Sequence, residues 1–169
     1  MGLDVSHGCF HGAYSAFNSL RQTVAMVCGG SHPPHWEYTK DGALATDGTP
    51  WGGIKHCNLH RDFPDAVHWC KKNGKDIHRQ WWVGDDFPED KYPGLYIFMS
   101  HSDCDGVLTP TEAALVAKDI RLVIPLVEAK KGIEAYGHCL RRGGYAKCLE
   151  LFADGCELAA KNGEEVRFC

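Results

Sequence analysis

Two short stretches of the chain concentrate side chains that bind ions or move protons. The first, LDVSHGCFHG, carries Asp4, His7, Cys9 and His11; the second, SHSDCDG, carries His101, Asp103, Cys104 and Asp105. In extended backbone alternate residues share a face, so His101, Asp103 and Asp105 can point the same way. Gly106 can take a positive φ and turn the chain sharply behind them. One imidazole and two carboxylates on a short loop suit a divalent cation such as zinc, manganese or magnesium. The same residues equally suit an Asp-rich turn whose carboxylates bond their own backbone amides. In the first stretch, Asp4 falls inside an expected strand, where an acid is unfavourable unless paired or facing solvent. His7 and His11 are spaced as on one helical face, yet Gly8 and Gly12 make the segment look like a loop. If the two stretches meet, Asp4, His101, Asp103 and Asp105 form a metal quartet, and His7 or His11 stands ready as general base for hydrolysis. Cys9 and Cys104, each close to a histidine, are further candidates for a nucleophile.

A different chemistry is written in the middle of the chain. Arg79 precedes Trp81 and Trp82, and an indole pair beside a guanidinium can stack a purine while holding a phosphate. Ser102 adds a hydroxyl donor at the loop. The competing reading makes these rings the core of a segment poor in aliphatic residues. His56, Cys57 and His60 have zinc-like spacing, but no second Cys or His pair follows at finger distance.

The frame that must carry these groups is 169 residues long with a formal charge of −4, 44% apolar and 24% charged. Such a chain fits one domain with a real core. Its charge argues against a general nucleic-acid binder, which needs a basic stripe. Arg61, Arg79, Arg121, Arg141 and Arg142 remain available for a local basic pocket. Nine cysteines occur with no C-x-x-C pair, and the N-terminus lacks the pattern of a secretory signal, so reduced, mostly buried thiols in a cytoplasm are expected. MGLDVS matches an acylation pattern, but the residues that follow read as a structured strand.

Periodicity predicts a strand at Leu3 to Val5 and an amphipathic helix from about Ala13 to Cys28, stopped by Gly29-Gly30. Residues 31–94 are rich in Pro, Gly, Asp and Thr and read as a loop-rich insertion, with one short helix near DFPDAVHWCKKNG. LYIFMS, an unbroken apolar run, is expected to be a central strand covered on both faces. Thr109-Pro110-Thr111-Glu112 is a capping-box helix start, and Pro125 should end or kink that helix. A last long helix follows Gly143-Gly144 and closes at Asn162-Gly163, before a terminal strand in VRFC. The fold class expected is α+β: a single compact domain over 1–169, with a small sheet, about three main helices and a long irregular middle.

The segments MGLDVSH, HGAYSAF and HSDCDG, with the closing LFADGCELAAKNGEEVRF, resemble a family of small proteins of phages and prophages. The resemblance covers about a third of the chain, at its two ends, and leaves residues 31–94 unmatched. It implies a virus-related accessory protein of the host-cell cytoplasm and gives no reaction. HSDCDG followed by TEAALVA is also similar to the first metal motif of the DHH phosphoesterases, but the Asp-His-His triplet those enzymes need is missing here.

Three functions follow. The chain could bind a small phosphate-bearing, nucleotide-like ligand and so sequester a host defence signal. It could be a metal-dependent hydrolase or phosphoesterase built on the Asp/His cluster. It could inhibit a host enzyme through its acidic surface. Ligand binding is preferred, because the cluster completes no recognised catalytic signature. The expected partners are the ligand and, as an open alternative, further copies of the chain, with neither nucleic acid nor membrane.

Overall fold

In a computed structural model the residues described are 2–29, 36–39, 42–45, 50–51, 88–101, 106–135 and 137–169. Where the periodicity is long, the expected elements form. Helix α1, Tyr14–Cys28, buries Phe17, Leu20 and Val24 and ends at Gly29, whose φ of 87° lets its N–H reach the Ala25 and Met26 carbonyls. Helix α3, Pro110–Ala129, opens on a complete capping box: Thr109 Oγ1 accepts from the Glu112 N–H, and the Glu112 carboxylate accepts from the Thr109 N–H. Pro125 lies inside α3, which continues past it for another turn; the prolyl ring sits on the solvent side. Helix α5, Tyr145–Asn162, ends at Gly163 in the left-handed region, as Asn162-Gly163 suggested.

LYIFMS is a correction. It lies in helix α2, Pro93–Ser100, rather than in a strand. A short apolar run cannot be assigned by periodicity alone, and here two tertiary contacts favour the helix. The buried carboxylate of Asp119, on α3, accepts from the N–H groups of Gly94 (2.6 Å) and Leu95 (3.4 Å), so a distant residue caps the start of α2. Gly94 then packs so close to α3 that a Cβ there would run into the Leu115 carbonyl. A short helix α4, Gly137–Arg141, was not anticipated either.

The sheet that positions the polar stretches is assembled from both ends of the chain. Strands β1, Leu3–Val5, and β2, Phe10–Gly12, form an antiparallel hairpin where the sequence suggested only one strand and a loop. Strands β6, Val107–Leu108, and β7, Val166–Arg167, pair antiparallel. A bridge between Val5 and Phe168 joins the two pairs, reinforced by Asp4 and Cys169 exchanging both backbone bonds (3.0 and 2.8 Å) and by Ser6 N–H donating to the Arg167 carbonyl. The terminal segment therefore runs between β1 and β6. A separate three-stranded antiparallel sheet, β3 (Trp36–Thr39), β4 (Gly42–Ala45) and β5 (Pro50–Trp51), forms within the middle segment. The architecture is α+β.

One face of the terminal sheet, bearing Leu3, Val5, Phe10, Leu108, Val166 and Phe168, is buried. Phe17 of α1 sits at the centre of an aromatic cluster, with ring centroids 4.9 Å from Phe10, 5.5 Å from Phe98, 6.1 Å from Phe152 and 6.2 Å from Phe168. Helices α3 and α5 pack against each other, with Arg121 reaching Asp154 and Glu157 across the seam. Among the described residues, no helix is long and apolar enough to cross a membrane.

Candidate functional site

The first polar stretch becomes the β1–β2 hairpin, and pleating separates its side chains. Asp4 points out of the sheet, opposite His11 on β2, with His11 Nδ1 3.6 Å from Asp4 Oδ1. The mid-strand acid is thus both solvent-facing and paired. His7 occupies the turn with a φ of 58°, a left-handed conformation that is costly for a residue with a Cβ. Its ring reaches across to the loop after α5. With Nε2 protonated, His7 donates to Glu164 Oε2 at 2.8 Å and its Nδ1 accepts from the Ser6 hydroxyl at 3.0 Å. Ser6 Oγ in turn accepts from the Arg167 N–H at 2.9 Å. A hydroxyl, an imidazole and a carboxylate therefore form one hydrogen-bonded chain at the sheet's end. The bond from His7, then that from Asn162, lowers the Glu164 carboxyl below its ordinary range.

The second stretch begins at the C-terminal end of α2. His101 stacks on Phe168 with ring centroids 4.0 Å apart, and its Nε2 lies 3.3 Å from the Val107 carbonyl. Gly106 has the positive φ expected of it, 102°, and a Cβ there would lie 3.2 Å from the His101 ring. Beneath His101 lies Arg21 of α1. Its residue is only 1% exposed, its guanidinium sits 4.4 Å above the Phe17 ring and 5.6 Å from that of Phe98, and its Nη2 donates to the His101 carbonyl at 2.8 Å. Arg21 thus places a buried guanidinium against the backbone at the C-terminal end of α2.

The two stretches thus reach one sheet but do not share one set of side chains. Val5 and Phe168 stand directly opposite each other, so their side chains share the inner face, and His101 stacks there. Asp4 and His11 occupy the outer face. Of the expected quartet Asp4, His101, Asp103 and Asp105, Asp4 stands on the outer face and the His101 ring on the inner, while Asp103 and Asp105 lie outside the described residues. His7 and His11 also diverge, one held by Glu164 and the other beside Asp4. Among the described residues, no group of three or more His, Cys, Asp or Glu is placed to hold a metal ion. Ser102, Asp103 and Asp105, together with Arg79, Trp81, Trp82 and the His56-Cys57-His60 cluster, lie outside the described residues. Cys9 is buried against α5 rather than offered to a substrate.

Three residues that shape these sites were missed from sequence. Arg21 left a trace, because it stands four positions after Phe17 on the apolar stripe of α1, where a charge must find partners. Glu164 and Phe168 left none: each reaches its partner, His7 or His101, only through the return of the terminal strand. The chain matches no protein-family model, no curated protein sequence and no solved structure.

Proposed function

We propose that this chain binds a small phosphate-bearing, nucleotide-like ligand beside His101, at the C-terminal end of α2. The observation that carries the reading is the buried guanidinium of Arg21 directly under His101. A guanidinium is a frequent protein partner of phosphate oxygens, which it can meet with two parallel N–H bonds. The half-buried His101 ring lies beside it, and Ser102 stands next in sequence. Arg79, Trp81 and Trp82 are the proposed phosphate donor and stacking platform. The resemblance of the terminal segments to phage and prophage proteins supports a role in sequestering a host defence signal in the cytoplasm of the infected cell.

A second reading has its own observation. The Ser6–His7–Glu164 chain holds an imidazole oriented by a carboxylate, as a general base requires. In that reading the protein is a hydrolase, with His7 as the general base.

One experiment separates the readings. The protein is incubated with cyclic and linear nucleotides, freed of unbound ligand by filtration, and heat-denatured, and the released material is identified by mass spectrometry. Intact nucleotide recovered in proportion to protein supports sequestration. A chemically altered nucleotide supports the hydrolase. No uptake of any nucleotide overturns both.

A further inference from the structure

The hairpin turn that carries His7 also places two buried thiols in contact. Cys9 Sγ lies 4.0 Å from Cys156 Sγ, and the two residues are 1% and 0% exposed. This approach exists because residue 155 is a glycine: a Cβ there would lie 2.5 Å from Cys9 Sγ and 2.7 Å from the His7 carbonyl. The turn therefore sits directly on α5, with Cys9 against Cys156. Cys139 of α4 and Cys148 of α5 are buried as well, and the Cys139 thiol donates to the Ala16 carbonyl of α1.

We propose that Cys9 and Cys156 are a modification site: an oxidisable pair whose disulfide staples the β1–β2 turn to α5. The inference stands whether or not the ligand-binding reading holds. The co-reactant is hydrogen peroxide. The Cys9 thiolate attacks one peroxide oxygen, the O–O bond breaks, and the leaving hydroxide takes a proton to become water. The resulting sulfenic acid is displaced at sulfur by Cys156, forming the S–S bond and releasing a second water. Two thiols are oxidised and one peroxide is reduced. Its hydrogen bond to Cys9, and then burial, hold the Cys156 thiol far above the usual thiol range, so it resolves the sulfenic acid only once the turn has lifted and water reaches it. Closing the bond needs about 2 Å of approach, within the reach of side-chain rotation. Because both sulfurs are buried, reaction requires the turn to lift from α5, and the His7–Glu164 hydrogen bond opposes that lifting.

The test uses the full chain in native buffer with hydrogen peroxide. Remaining thiols are then alkylated, and the peptides are mapped without reduction. The expected result is a linked peptide joining Cys9 to Cys156, reversed by dithiothreitol, and a melting temperature several degrees above that of the reduced protein, since the bond closes a very long loop. Glu164→Gln, which weakens the latch without touching either sulfur, is expected to speed formation of the link several-fold. Recovery of Cys9 and Cys156 separately alkylated after exposed Cys169 has been oxidised would overturn the proposal. So would Cys9 appearing linked to a different cysteine. A Cys156→Ser variant that retains the native circular dichroism spectrum must lose the link and the gain in melting temperature; if the gain persists, the staple is not its source.

Discussion

His7 takes a conformation that glycine would adopt more cheaply, and what holds it there is the hydrogen bond to Glu164 on one side and Ser6 on the other. Because Glu164 is bonded chiefly as its carboxylate, its folded pKa lies below the ordinary 4.5. The unfolded chain then takes up the proton first on acidification. The contribution of this bond is complete above pH 4.5 and is lost as pH falls through the lower, folded value. Glu164→Gln removes that titration. The expected outcome, read from melting temperature across pH 3 to 6, is a gentler acid decline in the variant than in the parent. Parallel declines would show that the His7–Glu164 bond adds nothing to the folded state. This residue-level geometry was only half visible beforehand: His7 was marked as chemically capable, but its partner follows α5 and shares no local pattern with it.

At the level of elements, legibility tracks where the information is stored. Helix α3 was readable because its cap, Thr109 with Glu112, is written in adjacent residues. Helix α2 was misread as a strand because its cap is Asp119, on another helix, and its local run of apolar residues fits either period. Gly94 looked like part of a turn and is instead the contact point between α2 and α3. Replacing an interior helical glycine by alanine ordinarily gains about 1 kcal/mol. At Gly94 the added methyl would run into the Leu115 carbonyl, and at Gly155 it would meet Cys9 Sγ and the His7 carbonyl. Backbone atoms cannot rotate aside, so overpacking costs on the order of 1–3 kcal/mol and wins. Both Gly94→Ala and Gly155→Ala are expected to lower the urea midpoint with an unchanged slope. A higher midpoint in either would mean that the helices separate freely at that crossing.

For the whole molecule, the arrangement that matters is the return of the chain's last residues to its first. The sequence supplied a strand at each end but had no means of stating that the terminal one runs between β1 and β6, since pairing over such a separation leaves no local periodicity. That single pairing decides the candidate site: it brings Glu164 to His7, sets Phe168 under His101, and puts Asp4 on the opposite face from Phe168 and the imidazole stacked on it. It also makes the terminal segment structural in a way an exposed tail is not. Removing residues 166–169 would leave backbone groups of Asp4, Ser6 and Gly106 without the partners they have now. It would also strip the Phe168 ring from the cluster around Phe17 and Phe152. Losing one buried phenylalanine alone costs about 3–5 kcal/mol, and a domain of this size has about 5–15 kcal/mol in total. The truncated chain is therefore expected to lose cooperative unfolding altogether, seen as a broad, sloping thermal melt by near-ultraviolet circular dichroism, while Phe168→Leu keeps a sharp melt at lower temperature. A truncated protein that still melts sharply near the parent temperature would show that β1 and β6 hold the sheet without the strand between them.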